Sequence, residues 1–200
     1  MMSKQPNILF IMTDQFRSDA LGVNGGWAKT PNLDKIAEEG TNFTRCYTNS
    51  PVCMPARLSL ATGRYPHNTN IWLNCTTTMP AKTPTWMQAV RAAGYRTSVY
   101  GKTHLYVHEG DLRDRESLLN AYGMDDIDEI GGPGASSWVM SHMTNQWKEK
   151  GLLEPYREDY NERVANKKYV ARPSVLPFEE NADVYVAQKA IEYLEAYEKD

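Results

Sequence analysis

The sequence predicts an α/β fold with a mostly parallel central sheet flanked by helices. Three observations predict it. The continuous apolar run Ile8-Leu9-Phe10-Ile11-Met12 reads as a buried strand, with polar residues from Asp14 onward. Helix signals at 30–40 and 83–94 are each followed by a strand-like stretch. Strand–helix–strand alternation with such connections favours parallel strands covered by helices.

Taken in order, the first strand spans Asn7–Thr13. It delivers Asp14 and Gln15 to the carboxyl edge of the sheet, where open α/β folds bind ligands. Thr30 is the expected N-cap of the next helix, with Pro31 in its first turn and Gly40 ending it. Thr41–Tyr47 is a predicted second strand. Pro55 opens a helix over roughly 56–61, closed by Thr62-Gly63, which places Cys53 just before a helix N-terminus. Thr83-Pro84 starts a helix that runs to Ala93, with Gly94 as its stop. Tyr95–Tyr100 is the next strand, and Gly101-Lys102-Thr103-His104 lies at its end. From 105 to 177 the pattern weakens. Gly131-Gly132-Pro133-Gly134 reads as a loop, 138–150 as helical, and 157–173 as charged and irregular, so the region is expected to be a long excursion that shapes a substrate site. Ala182, Val186, Ala190, Ile191 and Leu194 recur at helical spacing and predict a final helix within 178–200.

The 200 residues are 41% hydrophobic and 24% charged, which allows a core of ordinary size. A formal net charge of −3 gives no general attraction to nucleic acid or an anionic membrane. An anionic substrate needs a local basic site, and Arg57, Lys102 and His104 are the candidates. The polar start and the short run Ile8–Met12 do not read as a signal peptide or a membrane span, so the expected location is cytoplasmic, or periplasmic or secreted if a leader has been removed. Cys46, Cys53 and Cys75 are odd in number and fit neither a disulfide framework nor a common zinc spacing.

The densest chemistry lies in Ser50-Pro51-Val52-Cys53-Met54-Pro55-Ala56-Arg57-Leu58-Ser59-Leu60-Ala61-Thr62-Gly63-Arg64. A helix N-terminus favours thiolates and binds oxyanions. Arg57 sits one turn beyond Cys53, and its fork suits a tetrahedral oxyanion. A lone cysteine is more often a buried, inert side chain. Here the whole segment argues otherwise.

This run resembles the signature of the sulfatase family, in which a Cys-x-Pro-x-Arg core precedes a hydrophobic turn and Thr-Gly-Arg. The likeness continues through Tyr65-Pro66-His67. The resemblance implies an alkaline-phosphatase-like fold. It also implies that Cys53 is converted to formylglycine by a formylglycine-generating enzyme. The hydrated aldehyde then attacks the sulfur of a sulfate monoester, and its second hydroxyl allows sulfate to be expelled from the resulting covalent intermediate. Asp14 matches the first member of the family's cation-binding acidic pair, while Gln15 departs from the commonest residue but keeps an amide oxygen. Together with residue 53 they are the implied metal ligands, for calcium first and magnesium or manganese as alternatives. Gly101-Lys102-Thr103-His104 resembles the family's Gly-Lys-x-His element. The implied roles are sulfate contact for Lys102 and proton transfer for His104, and strand alternation is expected to point the two to one side.

The likeness is good over 7–104 and loose over the whole chain, which reads as the N-terminal portion of a sulfatase catalytic domain ending at 178–200. The family's downstream metal and sulfate ligands have no counterpart here. Asp125-Asp126 is a local substitute out of position, and Gly123-Met124-Asp125 is assigned no role. His67, His108 and His142 read as surface or satisfied histidines. The expected substrate is a sulfated small molecule or sugar, with no nucleic-acid or membrane partner, and a homo-oligomer is compatible with the sequence. Phosphonate monoester hydrolases and some phosphodiesterases share the Cys-x-Pro-x-Arg core and are the nearest alternative. A non-catalytic fragment without a complete metal site is the alternative of another class.

Overall fold

A computed structural model describes residues 5–74, 77–165 and 172–197, so Cys75 and the 166–171 part of the predicted charged stretch lie outside the described residues. The chain divides into two compact units, Met1–Thr48 and Asn49–Asp200.

Among the described residues the first unit holds one α-helix, α1 (Pro31–Glu39), and two short 3-10 turns, Ser18–Ala20 and Gly22–Asn24. Pro31 occupies the first turn and Gly40 ends the helix, as expected. Thr30 flanks the helix without capping it. Its hydroxyl accepts from the Gly22 N–H at 2.9 Å and donates to Asp34 Oδ1 at 2.8 Å. Asp34 Oδ1 also accepts from the Val23 N–H, so the start of α1 is tied to the preceding turn. The strands predicted at 7–13 and 41–47 are not formed. Ile8, Leu9, Phe10 and Ile11 are all exposed. An apolar run becomes a strand only when neighbours satisfy its backbone groups, and among the described residues neither segment has a ladder partner.

The second unit begins with α2 (Cys53–Thr62), α3 (Pro66–Thr69) and α4 (Trp86–Ala92), followed by strand β1 (Ser98–Gly101). It continues with α5 (Glu116–Ala121), β2 (Asp126–Glu129), α6 (Gly132–Ala135), α7 (His142–Glu149), α8 (Leu153–Ala165) and α9 (Ala182–Tyr197). β1 and β2 pair in parallel, with Ser98 opposite Asp126 and Gly101 opposite Glu129. The α/β expectation therefore holds. No helix among the described residues is long and apolar enough to cross a membrane.

Local chemistry corrects several predicted boundaries. Cys53 is the first residue of α2 rather than the residue before it, because Val52, in extended conformation, takes the N-cap position. Gly63, at φ +66°, closes the helix by returning its N–H to the Ser59 carbonyl. α4 starts after Thr85, whose hydroxyl forms a reciprocal capping box with Gln88 and also donates to the Tyr122 carbonyl at 2.6 Å. β1 starts only at Ser98, because Tyr95 still bonds back to α4 and the Thr97 N–H is taken by Asp125 Oδ2.

The region expected to be an irregular excursion carries much of the unit's structure. β2 escapes an apolar-run criterion because it reads Asp-Ile-Asp-Glu. Each acidic side chain has a local partner instead: Arg96 grips Asp126 at 2.6 and 2.7 Å, Tyr185 donates to Asp128 at 2.7 Å, and His108 meets Glu129. The expected glycine loop is the short helix α6. The expected 138–150 helix begins at His142, after a Ser141–Thr144 capping box. α8 forms where disorder of pattern was expected, because Arg163 pairs with Asp159 one turn earlier at 2.6 Å and Arg157 with Glu154 at 3.1 Å.

Among the described residues two hydrophobic clusters hold the unit. Met54, Leu58 and Ala61 of α2 pack with Ile71, Met79, Met87, Leu105 and Tyr106. Met143, Trp147, Leu153, Leu176 and Tyr185 form the second cluster under α7, α8 and α9. Burial of Leu58 alone, 1% exposed, contributes about 1.5–3 kcal/mol. The first cluster fixes α2 beside the end of β1 and so decides where the candidate site lies.

Candidate active site

Cys53 is half-buried at the first position of α2. The sequence places the first-turn N–H groups of this helix at the service of an oxyanion, and the structure accounts for most of them otherwise. The Val52 N–H bonds to Ser50 Oγ at 3.3 Å, and the Met54 N–H to Asn74 Oδ1 at 2.8 Å. Pro55 has no N–H. Among the described residues this leaves the Cys53 N–H as the first-turn donor. Charge recognition here therefore falls to side chains more than to the helix end.

Arg57 follows one turn later on the same helix and is buried, at 7% exposure. A buried guanidinium needs strong acceptors. Its Nη1 donates to the backbone carbonyl of Lys102. This bond ties α2 to the segment leaving β1 and brings Cys53, Arg57 and the Lys102–His104 segment into one neighbourhood of the second unit.

The expectation that Lys102 and His104 share a side through strand alternation does not describe this segment. Gly101, at φ +119°, ends β1, and His104 adopts φ +51°. The segment is a turn. The Lys102 side chain lies over Gly132, where an added Cβ would stand 3.0 Å from Lys102 Cδ. His104 is buried, and its ring centroid lies 4.8 Å from that of His108. A left-handed conformation outside glycine costs about 1–2 kcal/mol. Such positions cluster at functional sites. Among the described residues only Gln15, Asn70 and His104 show it outside glycine, and two of these three are candidates named from the sequence.

Sequence reasoning missed Glu129. It is 3% exposed, and its carboxylate gathers four donors. Oε1 accepts from the Thr103 N–H at 2.9 Å and the His104 N–H at 3.2 Å, and meets His108 Nε2 at 2.8 Å, while Oε2 accepts from Thr103 Oγ1 at 2.6 Å. A polar residue closing a short strand was the available signal, but its partners lie 21 to 26 positions away in sequence. Asn74 was also missed, for the same reason of separation.

The neighbouring acids are structural. Asp125 is held below the usual carboxylate range, chiefly by the Thr97 backbone N–H, with Arg91 adding to the effect. Asp125 and Asp126, the local substitute for the missing metal ligands, are thus engaged by Thr97, Arg91 and Arg96. His67 stacks on Tyr65, and His142 meets Glu116 at 3.1 Å on the surface. Cys46 is an exposed free thiol.

Asp14 and Gln15 belong to the first unit, with Gln15 at φ +50°. Their carboxylate and amide oxygens are the hard donors that calcium or magnesium prefers. They fit such a cation in kind. They fall short of it in number, since no group of three or more His, Cys, Asp or Glu gathers among the described residues.

Residues 6–200 match the family model described as Sulfatase. The chain belongs to the sulfatase family. An ulvan-active sulfatase of Formosa agariphila is 33% identical over 187 residues, covering 93% of this chain and 32% of the relative. An N-acetylglucosamine-6-O-sulfatase of Bacteroides thetaiotaomicron is 36% identical over 119 residues, covering 59% of this chain and 21% of that relative. The chain thus spans a third or less of the length of these sulfatases. The crystal structure of a phosphonate monoester hydrolase from Agrobacterium radiobacter aligns with 96% of this chain and 38% of its own, at a TM-score of 0.63 and 23% identity. This likeness shows the alkaline-phosphatase-like fold.

Proposed function

We propose that the protein hydrolyses a sulfate monoester to an alcohol and inorganic sulfate, with residue 53 as the nucleophile. One observation carries the reading. Cys53 opens α2, Arg57 stands one turn on, and Arg57 bonds to the backbone of the segment that carries Lys102 and His104. This links the helix that carries Cys53 and Arg57 to the segment that carries Lys102 and His104, which supports the reading. As formylglycine, made by a separate maturation enzyme, residue 53 supplies a hydrated aldehyde with one hydroxyl to attack and a second to release sulfate.

This chain's own side chains do the rest. Arg57 and Lys102 bind the anionic ester and offset the charge that develops on its oxygens. His104 moves the proton as general acid and base. Asp14 and Gln15 supply two oxygen ligands toward a divalent cation, calcium being the first candidate. Membership of the sulfatase family supports a sulfated substrate, and the names of the two relatives make a sulfated carbohydrate the first class to test.

The test compares turnover of an aryl sulfate with that of an aryl phosphonate monoester by the full-length protein. The proposal expects the sulfate to be the better substrate. A phosphonate rate higher by orders of magnitude would replace it with a phosphonate monoester hydrolase.

A further inference from the structure

We propose that Glu129 is a positioning residue for His104. The proposal rests on the sulfatase reading for its catalytic meaning, but its geometry stands alone. The parallel register sets Glu129 opposite Gly101, so its carboxylate lies where the chain leaves β1 for the Lys102–His104 turn. There it fills a concavity of successive N–H groups, those of Thr103 and His104, the arrangement that suits an anion. The Thr103 hydroxyl closes the other carboxylate oxygen. The left-handed His104 backbone is thus held by a buried acceptor from the neighbouring strand.

The same carboxylate fixes His108. When His108 Nε2 donates to Glu129 Oε1, Nδ1 is the unprotonated nitrogen of the neutral ring. The His108 backbone is secured from the other side, where Trp138 Nε1 donates to its carbonyl at 3.2 Å. The ring centroids of Tyr106 and His104 lie 5.1 and 4.8 Å from that of His108. Glu129 therefore sets both the backbone of His104 and the ring against which His104 packs, without being placed to touch substrate itself.

The test uses Glu129→Gln and Glu129→Ala in the full-length protein. The glutamine amide oxygen can keep the three N–H partners while its nitrogen donates to Thr103 Oγ1. Glu129→Gln is therefore expected to stay within about threefold of wild-type kcat, whereas Glu129→Ala loses about 10- to 100-fold in kcat with KM nearly unchanged. Amide hydrogen exchange at Thr103 and His104 provides a readout independent of turnover, with protection falling at least about tenfold in Glu129→Ala. A folded alanine variant with wild-type kcat and wild-type protection would overturn the proposal. If the alanine variant does not fold, Thr103→Val removes the hydroxyl partner alone. It is expected to lower kcat several-fold at constant KM, and unchanged kcat would overturn the proposal. If wild-type protein turns over no sulfate ester, the sulfatase reading fails, and the exchange result still decides whether Glu129 holds the turn.

Discussion

Replacing Arg57 by alanine tests both the architecture and the chemistry of the site. The structure sets the stability cost. The variant deletes a charged donor to the Lys102 carbonyl and a buried alkyl stem, at 7% residue exposure. A hydrogen bond to a charged group is worth about 1.5–3 kcal/mol, and loss of the stem raises the expected destabilisation to about 2–4 kcal/mol. Removing one donor to a developing oxyanion costs about 2.7–4 kcal/mol, or 10²- to 10³-fold in kcat. Denaturant unfolding followed by circular dichroism measures the first effect, and aryl sulfate turnover the second. Arg57→Lys should recover part of the charge effect but not the forked geometry, and so fall between wild type and alanine in both assays. An alanine variant within about 0.5 kcal/mol of wild type in stability, the range of an ordinary surface change, and with unchanged kcat would refute the reasoning.

Three further outcomes follow from single contacts. Thr85→Ala removes the cap of α4 and leaves the Tyr122 carbonyl without its hydroxyl donor, so unfolding free energy should fall by about 2–4 kcal/mol. Gly132→Ala imposes φ +69° on an L-residue and a Cβ 3.0 Å from Lys102 Cδ, so it should cost about 1–2 kcal/mol and raise KM by displacing Lys102. Asp128 is pushed above its ordinary carboxyl value mainly by burial, opposed by the Tyr185 hydroxyl. A raised carboxyl favours the protonated folded state, so its stabilisation is present below the unfolded value of 3.8 and is lost as pH rises through the folded value. The stability of wild type relative to Asp128→Asn should therefore decline as pH rises across that window, and a gap independent of pH would contradict this.

The candidate site was legible where its chemistry is local. Cys53, Arg57 and the cap at Gly63 fall within eleven residues, and helix-terminus chemistry places them without knowledge of the rest of the chain. Lys102 and His104 were named as candidates, but their geometry was not foreseen, because Gly101 and His104 leave the strand region that alternation assumes. Glu129 was invisible because a buried carboxylate is defined by donors 21 to 26 positions away. Fold class was read correctly from alternation and the Tyr95–Tyr100 strand forms as β1 at Ser98–Gly101, but the strands expected at 7–13 and 41–47 do not form and β2 was not foreseen. Ile8–Met12 has strand composition yet forms no strand among the described residues, and Asp126–Glu129 pairs with β1 without strand composition. Side-chain partners such as Arg96 and Tyr185 make the second case stable, and hydropathy does not report them. α8 was missed for a related reason, since its charges pair along the helix rather than marking a loop.

Residue 53 is expected to be formylglycine in the active protein. Mass spectrometry of the peptide that contains it, from protein produced in its native host, measures this directly. Conversion to formylglycine removes one sulfur and two hydrogens and adds one oxygen. Active protein should carry this mass change at residue 53, and Cys53→Ala, equally folded, should carry neither the change nor activity. Sulfate ester turnover by protein whose residue 53 remains an unmodified cysteine would contradict it.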